Sequence, residues 1–259
     1  DEYFGAKRRI FELQRPEDLG VVVVDDLGAA SLLNAVHSQR VRVSQQGPGE
    51  VTWDGRAIHA ALPGVDPVRI EAPELVAWGR YHRIDAMVAT AVALALGARA
   101  EAIRHAVRDY EPPEHLMTEV AEIDGIRYVE DSKATNVAAA LADLEHLAAR
   151  GPVIVITGGK DKGVDLRQWA AALDRLARAV VLLGETASTL AELMVHPSVQ
   201  RASSLDDALE AAVAWARPGD TVAFIPASSS FDMFDSYADR GNRFQETVRK
   251  SARRAQETS

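Results

Sequence analysis

The chain has 259 residues, 47% of them hydrophobic and 26% charged, the balance of an ordinary folded protein rather than a disordered one. With 38 acidic against 29 basic residues its net charge is −9, which argues against a general nucleic-acid or membrane-surface binder, because both need a basic face. It contains no cysteine, so disulfides and thiolate metal sites are excluded, and no apolar run approaches the ~20 residues that span a bilayer.

No signal-peptide pattern opens the chain, and a cytoplasmic location is the expectation. There is no initial methionine, and residues 1–13 already follow a helical pattern, with Tyr3, Phe4, Ile10, Phe11 and Leu13 near helical spacing. Such a start is expected of a fragment or a processed protein. Val21 to Val24 reads as a buried strand, and 27–37 as a helix capped by Asp25 or Asp26. A short strand follows over 41–43. Residues 51–59 read as a hairpin turning at Asp54-Gly55, a pair suited to the positive φ angles of a type I′ turn. Helical patterns cover 83–96 and 100–110, and Pro112-Pro113 then marks a domain boundary. The length suits two cores better than one.

A second hairpin turns at Asp124-Gly125. Beyond it, strand runs at 153–156, 180–183 and 221–225 alternate with helical runs at 137–149, 166–177, 186–194 and 205–216. That alternation predicts a mainly parallel sheet with helices on both faces. The chain is therefore expected to be α/β, with domains over 1–111 and 112–259. There is no internal repeat and no low-complexity stretch.

Two short runs carry the chemistry: Asp131-Ser132-Lys133-Ala134-Thr135-Asn136 and Gly158-Gly159-Lys160-Asp161-Lys162-Gly163. Each follows a strand-like run. Ligands of open α/β sheets bind in the crevice outside the carboxyl ends of the strands, so two cationic loops there suit a small, doubly anionic ligand. A single loop lysine is ordinarily just a solvated charge; two at strand ends are more informative. The basic stretch from Arg240 to Arg254 reads as the solvated face of a last helix. His37, His59, His105, His146 and His196 show no metal-ligand spacing.

These two runs, together with Pro226 to Phe234 and Asp239-Arg240-Gly241, resemble the C-terminal domain of the Mur ligases, the D-glutamate-adding type above all. Tyr3-Phe4-Gly5-Ala6-Lys7-Arg8-Arg9-Ile10 resembles that family's helix bearing a carbamylated lysine, and Gly79-Arg80-Tyr81-His82 the entry to the last helices of its ATP-binding central domain. Four motifs in the expected order make the resemblance specific. It implies part of the central ATP-binding domain over 1–111 and a Rossmann-like C-terminal domain over 112–259.

The sequence also departs from the family. Arg83 and Ala86 stand where asparagines are common, Leu116 follows His115 where arginine is usual, Glu130 replaces an asparagine, and Tyr237 a phenylalanine. No Gly-x-x-x-x-Gly-Lys-[Ser/Thr] phosphate loop occurs in the 259 residues.

The resemblance implies an ATP-dependent ligase that adds D-glutamate to UDP-N-acetylmuramoyl-L-alanine, with ATP and Mg2+ as cofactors, acting as a monomer and inactive as this stretch alone. Lys133, Thr135, Lys162, Ser230 and Tyr237 are then expected at the substrate, and Asp131 on the nucleotide side. His115 is expected near the metal or the acyl phosphate, and Lys7, as a carbamate, on the metal. Alternatives are another Mur or folylpolyglutamate-synthase-like ligase, a non-catalytic binding module derived from one, and a nicotinamide-dependent enzyme. Against the last, no strand is followed by Gly-x-Gly-x-x-Gly.

Overall fold

The computed structural model describes residues 2–76 and 79–258, with the side chains of 2, 3 and 254–258 outside the description. Asp1 and the side chains of Tyr3 and Arg254, which entered the readings above, therefore lie outside the described residues. The chain divides into two compact units, residues 1–111 and 112–259. The fold is α/β.

The first unit opens with α1 (Glu2–Arg8) and a 3-10 turn over Arg9–Phe11, a shorter helix than the expected 1–13. Five strands, β1 (Leu19–Val23), β2 (Gln39–Ser44), β3 (Val51–Trp53), β4 (Ala57–Ala60) and β5 (Val68–Glu71), form one sheet in that order. β1, β2 and β3 run parallel, and β3, β4 and β5 form antiparallel hairpins. Asp26 caps α2 (Leu27–Ser31) by accepting from the Ala29 amide at 2.7 Å. Asp25 instead accepts from Ser44 and Gln45, tying β1 to β2.

α3 (Arg80–Ala95) lies on β1, β2 and β3. Its Met87, Ala91 and Leu94 pack with Val41, Val43, Val51 and Ile58, each large apolar side chain contributing about 1.5–3 kcal/mol of burial. α4 (Ala100–Arg108) closes the unit with Ile103 and Val107.

The turn at Asp54-Gly55 is not of type I′. Gly55 has φ +96°, while Asp54 is absent from the residues with positive φ. The Asp54 carboxylate accepts from the Arg56 and Ala57 amides, which holds a longer loop. Asp124-Gly125 does match the two-residue type, with φ of 53° and 75°.

The second unit carries a six-stranded sheet. In chain order its strands are β6 (Thr118–Ile123), β7 (Ile126–Glu130), β8 (Val153–Thr157), β9 (Ala177–Leu182), β10 (Val199–Arg201) and β11 (Thr221–Phe224). Their spatial order is β10-β9-β8-β11-β7-β6, parallel throughout except for the β6–β7 hairpin. β8 and β11 are buried along their whole length, as central strands covered on both faces must be.

Alternate residues serve opposite faces. Val153 and Val155 pack beneath α5 (Val137–Ala148), α6 (Arg167–Leu176) and α7 (Ala187–Leu193). Ile154 and Ile156 pack beneath α8 (Leu205–Trp215) and α9 (Tyr237–Thr258). Asn136 caps α5 at 3.0 Å and Ser204 caps α8 at 3.1 Å. α9 is fixed by Phe244 stacking on Phe224, with ring centroids 5.1 Å apart. This sheet presents the carboxyl ends of β7, β8, β9 and β11 at one edge, where the site residues gather.

Candidate functional site

The loop after β7 starts inward and ends outward. Asp131 and Ser132 are fully buried, Lys133 is exposed, and Thr135 is half-buried just before the α5 cap. Asp131 donates its amide to Phe224 O at the end of β11, and Lys133 donates its amide to His115 O at 3.0 Å. The end of β11, the 115–117 segment and this loop are thereby stitched together.

The loop after β8 depends on glycine. Gly158, with φ +118°, leaves no room for a Cβ against the Leu183 carbonyl, and Gly159 none against the Ser229 carbonyl. The Lys160 amide donates to Ser229 O at 2.9 Å, which lashes the loop to the segment after β11. The Lys160 ammonium pairs with Glu185 at 2.7 Å, and the second Glu185 oxygen accepts from the Asp161 amide. That pairing lowers the Glu185 carboxyl and raises the Lys160 ammonium from their ordinary values.

Between these loops lies a pocket of about 510 Å³, lined by Thr135, Asn136, Lys160, Lys162, Gln168 and Ser228, among others. The structure therefore brings Thr135 and Lys162 together. Lys133, Tyr237 and His115 form a second cluster: the Lys133 ammonium sits 5.6 Å from the Tyr237 ring centre, within cation–π range, and the His115 ring meets Tyr237 edge-on at 6.3 Å. Ser230 is buried and does not line the pocket; its carbonyl accepts from the Met233 and Phe234 amides.

Beneath both clusters is a buried charged layer. His115 Nδ1 lies 2.7 Å from Glu130, with His115 4% and Glu130 0% exposed. Asp131 Oδ1 accepts from the Met117 amide, and burial beside the Asp143 carboxyl pushes the Asp131 carboxyl up to about 10. Arg240 is 1% exposed and donates to Ser228 O at 3.0 Å and Ser132 O at 2.8 Å, joining the β11 and β7 loops from below. Burial lowers its guanidinium to about 10, opposed by Asp232, Glu130 and Asp131. Arg240 is thus not on the solvated face of the last helix. An arginine among basic neighbours reads as surface in the sequence; the signal was its place in Asp239-Arg240-Gly241.

In the first unit Lys7 is exposed on α1. Arg83 donates to Gln45 Oε1 at 3.0 Å. A second, mostly apolar pocket of about 300 Å³ lies between α3 and α4, with Ala86, Thr90 and Val107 in its wall.

A family model described as the Mur ligase glutamate ligase domain matches residues 115–228. The chain is 36% identical over 251 residues to a UDP-N-acetylmuramoylalanine–D-glutamate ligase of Pelotomaculum thermopropionicum, covering 95% of this chain and 55% of that protein. It is 37% identical over 256 residues to the same-named protein of Frankia casuarinae, covering 95% of this chain and 53% of that one. The chain belongs to the Mur ligase family.

It spans about half the length of the curated relatives it matches. The fold of this Mur ligase chain is shared with MurF of Thermotoga maritima in complex with ADP, at TM-score 0.65 and 15% identity, covering 96% of this chain and 60% of that one. It is shared equally with Mycobacterium tuberculosis folylpolyglutamate synthase complexed with ADP, at TM-score 0.68 and 18% identity, covering 95% and 58%. Among its described residues no helix is long and apolar enough to cross a membrane. Nor do the described residues include a group of three or more His, Asp or Glu able to hold a metal ion.

Proposed function

We propose that this chain is the acceptor-holding half of an ATP-dependent amide-bond ligase that adds D-glutamate to UDP-N-acetylmuramoyl-L-alanine in the cytoplasm, acting as a monomer. The observation that carries the reading is a pocket lined by both Lys162 and Thr135, in a chain 36–37% identical to D-glutamate ligases.

The acceptor brings two carboxylates. Lys162 meets one of them, and Thr135, at the mouth of α5, meets the other, where the helix N-terminus adds a favourable field. Ser230 acts from outside the pocket wall, by closing the turn that its carbonyl makes with the Met233 and Phe234 amides. Lys133 and Tyr237 border the acceptor from the second cluster, close to His115. Holding both carboxylates points the amine at the acyl carbon, and that positioning accounts for much of the rate in such a transfer. ATP supplies the phosphoryl group that activates the carboxylate of the UDP-linked substrate. Asp131 acts on the nucleotide side by anchoring the 115–117 segment through the Met117 amide. Magnesium and a carbamate on Lys7 belong to the same reading; Lys7 would offer one oxygen ligand, and no step is routed through it.

The test is phosphate release by the full-length enzyme, meaning this chain joined to the remaining part of a ligase of the length its curated relatives have. Release should need both ATP and D-glutamate, and the 259-residue chain alone should show none. Release driven equally by a diamino acid or L-glutamate would move the protein to another ligase of the superfamily. Turnover by the chain alone would overturn the division of labour.

A further inference from the structure

Glu130 does more than fill space beneath the site. It is fully buried at the last position of β7, and both of its oxygens receive donors: Oε1 accepts from the Ser132 amide at 2.6 Å, and Oε2 faces His115 Nδ1 at 2.7 Å and the Gln245 amide at 3.4 Å. An acceptor on both oxygens requires the hydrogen of the facing imidazole nitrogen to be on Nδ1. In the neutral ring this is one tautomer, with Nε2 as the lone-pair nitrogen.

The surroundings are built to keep this arrangement. His115 is held at φ +65° and Met117 at φ +49°, a backbone that non-glycine residues adopt only where neighbours over-determine it. The His115 carbonyl receives the Lys133 amide, and the Asp131 side chain receives the Met117 amide. Gly241 on α9 completes the enclosure, because a Cβ there would run into His115 Nδ1 and Glu130 Oε1. Only a glycine lets the helix close over the pair. The ring that results lies against Tyr237, whose face also carries the Lys133 ammonium.

We propose that Glu130 is a positioning residue for the ligase reaction, fixing His115 as its Nδ1–H tautomer so that Nε2 is the nitrogen available beside Lys133 and Tyr237. The proposal rests on the ligase reading for its consequence, but not for the tautomer itself.

The structure supplies a clean variant. In Glu130→Gln the Ser132 amide still requires an acceptor at Oε1, which turns the new NH2 group toward His115 Nδ1. A donor there forces Nδ1 to accept, and the tautomer inverts with no change in side-chain length. Nitrogen-15 NMR of the 259-residue chain, with histidines labelled and His115 assigned, reads this directly. The parent should show a protonated Nδ1 and a lone-pair Nε2, Glu130→Gln the reverse pattern, and Glu130→Asp the parent pattern. Gly241→Ala, which pushes on the pair from α9, should broaden or split the His115 signals.

In the full-length enzyme Glu130→Gln should lower kcat about tenfold or more while moving the KM for D-glutamate and for ATP by less than about twofold, and Glu130→Asp should restore most of it. A parent His115 protonated on Nε2 would overturn the proposal. So would an inverted tautomer in Glu130→Gln with kcat unchanged. In that second case D-glutamate-dependent phosphate release would persist, so the ligase reading would stand while the positioning role fell.

Discussion

The two halves of the site hold their charges in opposite ways. Lys160 and Glu185 are more than two-fifths exposed and bonded mainly to each other, and Lys162 is open to the pocket. Arg240, Glu130 and Asp131 are all at most 1% exposed; Arg240 and Asp131 are bonded to backbone groups, and Glu130 to the Ser132 amide and the buried His115. A solvated charge costs little to leave waiting for an anionic ligand. A buried one must be satisfied within the protein. The exposed half is therefore suited to binding, and the buried half to holding the loops that do the binding in register.

If that contrast is right, the largest effect should come from the buried arginine. Arg240→Leu strands the Ser132 and Ser228 carbonyls and takes the guanidinium away from the buried Glu130. It should cost the second unit about 3–5 kcal/mol, read as a lower midpoint in chemical unfolding. Arg240→Lys should not recover most of the loss, because one ammonium cannot span both carbonyls as the guanidinium fork does. An unchanged midpoint would show that the buried arginine does not hold the loops.

Asp131 sharpens the comparison through pH. Its carboxyl, raised to about 10 in the fold by burial and by Asp143, ionises near ~3.9 in the unfolded chain. Its contribution to stability is fully present below the unfolded value and declines as the pH rises from there toward the folded one. Asp131→Asn keeps the acceptor for the Met117 amide and removes the titration. The variant should melt higher than the parent at pH 8, each kcal/mol gained appearing as about 2–4 °C, with the gain shrinking as the pH approaches ~4. A gain independent of pH would contradict the assignment.

The smallest effect belongs to the exposed pair. Lys160→Ala or Glu185→Gln should leave the unfolding midpoint unchanged within error, since pairs this exposed are screened by solvent and salt. A marked loss of stability would show the loop to be held by that pair rather than by the Gly158 and Gly159 contacts and the Lys160–Ser229 backbone bond.

The sequence made the exposed half legible and left the buried half obscure, for physical reasons. Thr135 and Lys162 belong to loops whose position after a strand is readable, and the parallel sheet brings such loops together. Arg240 sits among basic helix residues, where only tertiary packing decides which face is buried. Glu130 and His115 stand on opposite sides of the β6–β7 hairpin, and it is the pairing of Thr118 with Glu130 that brings them close. β5 and β10 leave little trace in the sequence because they are only 4 and 3 residues long and present few buried positions. Asp54-Gly55 and Asp124-Gly125 look alike in sequence, yet only the second makes the two-residue turn. In the first, the Asp54 carboxylate captures two amides of a longer loop.

The most direct test of the account is the dependence of the full-length enzyme on D-glutamate when Lys162 is replaced by alanine. One charge-assisted contact to a carboxylate is worth about 1.5–3 kcal/mol, or about ten- to a hundredfold in binding. Lys162→Ala should raise the KM for D-glutamate by that factor and leave the KM for ATP nearly unchanged. An unaltered KM for D-glutamate with weakened use of ATP would contradict the account, placing Lys162 with the nucleotide and leaving the pocket without its acceptor.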